Sequence, residues 1–281
     1  MIKYPKIRIT DFKKLHAIAL KISPLRLGPT YTTIRTHLAE QIFEKALLIV
    51  NSYVRLIPDF DKKERHQFDF STLAALGRNL IELSHVYDYF CKDRLSKDEL
   101  EFRMNLFEIH SSEETKKVFE RLGFSKDFVQ EIILYIRFVS ESELSKSRYF
   151  NNLDEKVRNQ LMKGNTPFYP DRLERANRYL DQRIESGLYK LFSNNIHSFQ
   201  LGIQPQRYHA GKGPLSLISL LFLSMEASII YVSFILNSYI SLRWKICKQI
   251  TDEEKLFVKR CCRKTRLQDW IRYHEDNLLV E

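Results

Sequence analysis

The chain has 281 residues, 44% of them hydrophobic and 28% charged, with 45 Lys and Arg against 35 Asp and Glu for a net charge of +10. That much apolar material excludes a disordered chain, and only eight Gly and eight Pro exclude a turn-rich, many-stranded β fold. The basic surplus points to a polyanionic partner: nucleic acid, an acidic protein face or anionic lipid.

Taken in chain order, the first ten residues are too charged and broken for a signal peptide, and the Ile7-Arg-Ile9 alternation reads as the one strand-like stretch. Thr33 to Leu56 is a long amphipathic pattern ending at Pro58, and Asp69 precedes a second long helix over Phe70 to Phe90. Ser96-Lys-Asp-Glu99 is a capping box that opens a helix to about His110. Ser111-Ser-Glu-Glu114 opens a short one stopping near Gly123, Ser125 caps a helix to about Val139, and another covers Asp154 to Lys163. Gly164 to Pro170 is a breaker, after which helices run over Asp171–His197, Leu215–Gln249 and Asp252–Tyr273. The expectation is an all-α fold, a multi-helix bundle with long central helices. It forms one domain over residues 1–281, with 92–165 as a helical lobe or insertion.

Leu215 to Leu242 carries a single charge, Glu226, among apolar residues and serines. It has the length of a membrane span. A carboxylate near its middle costs about 2.5–3.5 kcal/mol on insertion scales, so a buried core helix is the preferred reading over a membrane partner. The four cysteines, Cys91, Cys247, Cys261 and Cys262, form no C-x-x-C pair and no zinc spacing with His. They read as reduced thiols in the cytoplasm, with no metal and no cofactor. Arg65-His66 has no ligand spacing, and His209-Ala-Gly-Lys-Gly-Pro214 lacks the spacing of a P-loop.

The segment Phe70–Phe90 is apolar around most of its circumference but carries a narrow polar strip. At 100° per residue, Arg78 and His85 project about 20° apart and Glu82 about 40° from Arg78, with Ser71 and Tyr89 on the same strip. Two readings stay open. Either Arg78 and Glu82 form an i,i+4 pair that holds neighbouring helices in register, or the strip lines a cleft and acts there. Gly77 beside Arg78 points to a close approach by another element.

Arg78-Asn-Leu-Ile-Glu-Leu-Ser-His85 resembles the loose Arg-to-His motif of the HEPN superfamily, with a polar Asn79 after the Arg. That resemblance implies metal-independent RNA cleavage by a homodimer that pairs two motifs. A longer resemblance joins Arg78-x-x-x-Glu82 to Tyr189-x-x-x-Ser193-x-x-x-His197. It is similar to a bacterial all-helical family with no established activity. Tyr189, Ser193 and His197 drift slowly around one helix face. If that helix packs on the first, Ser193 and His197 meet Arg78, Glu82 and His85.

Such a set has a chemistry. His85 would serve as acid or base, since imidazole titrates near neutrality, and His197 as a second proton-transfer group. Arg78 would clamp phosphate with its planar fork, and Glu82 would orient it. A carboxylate beside a phosphate is repulsive unless Arg78 neutralises it, which weighs for the structural pair. Further along, Arg243 to Arg266 holds nine basic and three acidic residues. Lys255, Lys259, Arg263 and Arg266 fall on one face of the expected helix as a candidate phosphate-backbone track, with Trp244 and Trp270 as base-stacking candidates.

Two functions follow as expectations. One is a HEPN-like ribonuclease acting as a toxin or antiviral defence effector. The other is a non-catalytic helical binding or scaffold protein for nucleic acid or protein.

Overall fold

The computed structural model describes residues 3–28, 30–57, 69–92, 95–170, 180–196 and 217–278. The protein is all-α, and no strand occurs among the described residues. In chain order the helices are α1 (Lys3–Lys21), α2 (Pro24–Leu27), α3 (Ile34–Leu56), α4 (Phe70–Tyr87, running into a π turn over Asp88–Lys92), α5 (Lys97–Arg121), α6 (Lys126–Lys146), α7 (Arg148–Asn151), α8 (Glu155–Met162), α9 (Gln182–Ile196), α10 (Leu217–Leu242), α11 (Asp252–Cys261) and α12 (Thr265–Leu278). They form two compact units: Met1–Cys91 with Ala176–Glu281, and Lys92–Arg175.

In the first unit α10 is the centre, packed by α1, α3, α4, α11 and α12, while α9 lies on α4. By length and composition Ser219–Leu242 is a candidate membrane span, and 94% of its most apolar window is buried inside the protein. Its one carboxylate, Glu226, is fully buried and clamped by two guanidiniums. Arg8 Nε lies 2.8 Å from one oxygen and Arg266 Nε 3.0 Å from the other. Asp11 bridges both arginines, 3.1 Å from Arg8 and 3.4 Å from Arg266, so four alternating charges close a ring. A second buried pair, Arg243–Glu40, ties the end of α10 to α3, and both residues also bond Thr30. Burial of an ion is tolerated only with such compensation.

Local chemistry sets the helix starts. Thr33 and Thr36 exchange bonds across the first turn of α3. At α4 the Asp69 carboxylate accepts from the Ser71 and Thr72 amides at 3.0 and 3.1 Å. Arg35 donates to the Cys91 carbonyl at 2.9 Å and so caps the π turn after α4.

The second unit is built on the α5–α6 pair with α7 and α8. Phe102, Leu106, Ile109, Leu144, Phe150 and Leu161 form its core. The α5 helix ends in a glycine cap of the 6→1, 5→2 kind: Phe124 N–H donates to Phe119 O, Gly123 N–H to Glu120 O, and Gly123 sits at φ +84°. The Phe119 and Phe124 rings, 5.1 Å apart, supply the apolar contact that goes with it. Arg137 on α6 reaches Glu113 on α5, Glu141 at 2.7 Å and the Met162 carbonyl at 3.2 Å, which joins three helices.

Several expected boundaries are corrected. Of the first ten residues, 3–10 belong to α1, because Phe12, Leu15, Ile18 and Ala19 bury one face at helical spacing and Pro5 falls in the first turn, where no helical donor is lost; Met1 and Ile2 lie outside the described residues. Ser111 and Ser112 open no new helix: Ser112 Oγ bonds back to Ile109 O at 2.9 Å and α5 runs through. Helix α6 continues past Val139 to Lys146, since Ser140 and Leu144 extend its buried row. The Leu215–Gln249 expectation ends at Leu242, and the expected Asp252–Tyr273 helix breaks between Cys261 and Thr265.

Candidate functional site

Helix α9 runs antiparallel to α4, and the polar strip of α4 lies along their contact. Gly77 permits it. A Cβ there would sit 3.0 Å from a Phe192 ring carbon of α9 and 3.2 Å from Ser224 Oγ of α10. Ser224 also donates to the Leu73 carbonyl at 3.3 Å, which stitches α10 to α4.

The strip divides into two clusters. At the outer edge, Arg78 Nε donates to Glu82 Oε1 at 3.1 Å, an Arg78 terminal nitrogen donates to the Tyr189 hydroxyl at 2.8 Å, and that hydroxyl donates to Glu82 Oε1 at 2.8 Å. The guanidinium also lies 4.8 Å over the Tyr189 ring. This triangle is partly open to solvent, with side-chain exposures of 27% for Arg78 and 42% for Glu82. Burial works to lower the Arg78 pKa, but Glu82 and Tyr189 outweigh it and the net displacement is upward.

One turn further, the environment changes. His85 is 3% exposed, and its Nε2 lies 2.8 Å from Glu185 Oε1 of α9. Tyr231 of α10 donates to the other Glu185 oxygen at 2.7 Å. With Nε2 carrying the proton, one buried carboxylate accepts from both neighbours, and three helices meet on it.

Of the two readings left open, the structure shows the i,i+4 pair of Arg78 and Glu82, and it places His85 apart from that pair in the interior. Helix α9 covers the strip unequally: it presents Tyr189 at the edge and Glu185 in the interior, where Tyr231 of α10 bonds Glu185. Tyr89 also leaves the strip. The π turn from Asp88 breaks the 100° progression, and Tyr89 is buried edge-on to Phe90 with centroids 4.9 Å apart. Ser193 Oγ donates to its own helix at Tyr189 O, 2.8 Å away. His197, Arg65, His66 and the loop from His209 to Pro214 lie outside the described residues. Sequence reading missed Glu185 and Tyr231. Glu185 had a signal, one turn before Tyr189 on the same face; Tyr231, inside an apolar run, had none.

The C-terminal basic track is also divided. Lys255 is paired to Asp252 at 2.9 Å and Arg266 points inward to Glu226 and Asp11, because the chain turns between α11 and α12. Lys259 and Arg263 remain exposed, with Arg260 beside them. Lys14 of α1 and Arg260 approach the Phe257 ring at 4.6 and 6.0 Å, so cations from two helices meet over one side chain. Trp244 is exposed, and Trp270 is buried.

Burial pushes the Cys91 thiol up to about 12 and those of Cys247 and Cys261 up to about 11, so none supplies a thiolate. Among the described residues no group of three His, Cys, Asp or Glu side chains is placed to hold a metal ion. A groove of about 400 Å³ on the second unit is lined by Phe107, His110, Ser111, Glu114, Val118 and Pro167, and contains none of the candidate catalytic or nucleic-acid-binding residues. No protein-family model, curated protein or solved structure matches this chain.

Proposed function

We propose that this protein is a non-catalytic helical binding module whose partner is a polyanion of the phosphate-backbone class. One observation carries the non-catalytic part: the imidazole that would have to move a proton, His85, is enclosed with Glu185 and Tyr231. A general acid or base must come within hydrogen-bond reach of the substrate. Arg78 likewise directs its donors to Glu82 and Tyr189, so a phosphate there would meet a carboxylate. The polyanion part rests on the net charge of +10 and on the exposed cations Lys14, Lys259, Arg260 and Arg263 of α1, α11 and the turn after α11. The free cysteines support a reducing, cytosolic setting.

The test uses purified protein and single-stranded RNA. Binding read by fluorescence anisotropy should weaken steeply with salt. Lys259→Glu with Arg263→Glu should reduce both the affinity and the salt slope, the latter by about one for each phosphate no longer neutralised. Neither wild type nor a folded His85→Gln variant should cleave RNA. Cleavage that disappears in His85→Gln would reinstate the HEPN-like ribonuclease, and absence of binding even at low salt would remove the polyanion.

A further inference from the structure

We propose that one end of the first unit is a stacking platform for the unpaired bases of a single-stranded nucleic acid. Trp244 and Tyr31 are its aromatic faces, and Arg26, Lys245 and Lys248 are its phosphate contacts. The inference rests on the polyanion reading and adds to it the ligand class and a second contact, at the opposite end of α11 from Lys259 and Arg263. Two stretches of chain meet there, and neither carries an acid. Residues 12–39 hold five Lys and Arg and no Asp or Glu, and residues 227–251 hold three and none. Arg243 joins the two by donating to the Thr30 carbonyl and hydroxyl, and Gln249 by donating to the Lys21 carbonyl. Some of these cations are spent: Arg243 pairs with Glu40, Lys21 with Glu254, and Arg35 donates to the Cys91 carbonyl. Arg26, Lys245 and Lys248 are exposed, and no ion pair among the described residues engages them. Of the acids that follow, Asp252 pairs with Lys255 and Glu254 with Lys21, while Glu253 is exposed.

The turn after α10 holds Trp244 outward. Arg243, Cys247 and Ile250 are buried, and the Ile246 and Cys247 amides both donate to the Arg243 carbonyl, at 2.9 and 3.1 Å. Trp244 is left facing water, 62% exposed. Tyr31 follows Thr30 as Trp244 follows Arg243; it is 49% exposed, and His37 rests against its ring with centroids 4.3 Å apart. Lys245 Nζ lies over the indole, 5.7 Å from its centroid. Aromatic rings fixed beside free cations are the recurring means of holding a single strand: a base stacks on the ring while its phosphate meets the cation. A duplex keeps its base faces stacked on one another, so only unpaired nucleotides satisfy both parts. An anionic bilayer would have to admit the Lys245 ammonium together with the indole, which is costly. A nucleic acid takes that charge beside the stacked base.

Fluorescence anisotropy on the full chain, with a short labelled oligo(U) and with duplex RNA of equal length, tests the platform. Trp244→Ala should weaken single-strand binding about tenfold, the worth of one stacked base, and leave the duplex affinity and the salt slope unchanged. Trp244→Phe should keep most of the affinity, and Tyr31→Ala should weaken the single strand as well. Lys245→Gln with Lys248→Gln should instead lower the salt slope. Circular dichroism should be unchanged throughout, since none of these side chains is in the core. Indole fluorescence should fall when oligo(U) is added to wild type and not when it is added to Trp244→Phe, because the other tryptophan, Trp270, is buried. RNA held equally by wild type and Trp244→Ala overturns the platform and leaves the polyanion reading standing. No binding of either RNA at low salt removes both. Phosphatidylserine vesicles that bind wild type but not Trp244→Ala, with no RNA bound, assign the patch to a membrane surface and overturn the proposal.

Discussion

Gly77 decides how closely α4, α9 and α10 approach one another. Gly77→Ala would gain about 1 kcal/mol of helix propensity, but the added methyl meets Phe192 and Ser224 at sub-contact distances, and overpacking costs about 1–3 kcal/mol. The steric term wins, so Gly77→Ala should lower the urea midpoint, with a net loss of about 1 kcal/mol. Tyr189→Phe removes two bonds from a partly wet triangle, where water replaces them, and should cost about 1 kcal/mol. His85→Ala should cost more, about 3–5 kcal/mol, since it strips a donor from a buried carboxylate. The ranking of these two variants in urea melts checks the division of the strip into an open and a closed half. Equal losses would contradict it. The strip itself was legible because a 3.6-residue period is local. Which half would be covered was not, because that depends on Glu185 and Tyr231, far along the chain.

Helix starts were written in side chains that act within three residues. Thr33, Asp69, Ser96 and Ser125 each cap the helix that follows. Asp69 also makes a pH prediction. Burial raises its pKa, but the Thr72 hydroxyl and the Ser71 and Thr72 amides outweigh that and hold it below its ordinary value of 3.8. The ionised form is thus the one the fold prefers. The stability it adds is fully present above pH 3.8 and is lost as pH falls through the lower, folded value. Thermal melts should show Asp69→Ala about 1 kcal/mol less stable than wild type at neutral pH, with the gap narrowing in acid. A gap that widens in acid would reverse the sign assigned here. Ends and continuations were harder to read. Ser111 and Ser112 carry the same residue types as a cap, yet sit inside α5. Whether a serine opens a helix or bonds back into one is settled by the residues packed beneath it, here Ile109 against Leu144 and Leu161.

At the scale of the molecule, the all-helical class followed from composition, but the pairings that define each unit did not. Glu226 was visible as a charge in an apolar run. Its partners, Arg8 and Arg266, belong to α1 and α12, and no local pattern names them. Arg266→Ala should destabilise by about 3–5 kcal/mol, because it leaves a buried carboxylate with half its compensation. Glu226→Gln should cost less than Arg266→Ala in the same denaturant titration, as it removes the charge along with the need for a counter-charge. The ring also has a bearing on how the chain matures. A ribosome delivers Glu226 forty residues before Arg266, so the nascent central helix emerges with an anion that lacks one of its two cations. Until the last segment is threaded into place, that helix has reason to stay loose, accessible to chaperones and proteases, and the arrival of Arg266 is the moment at which the first unit can close.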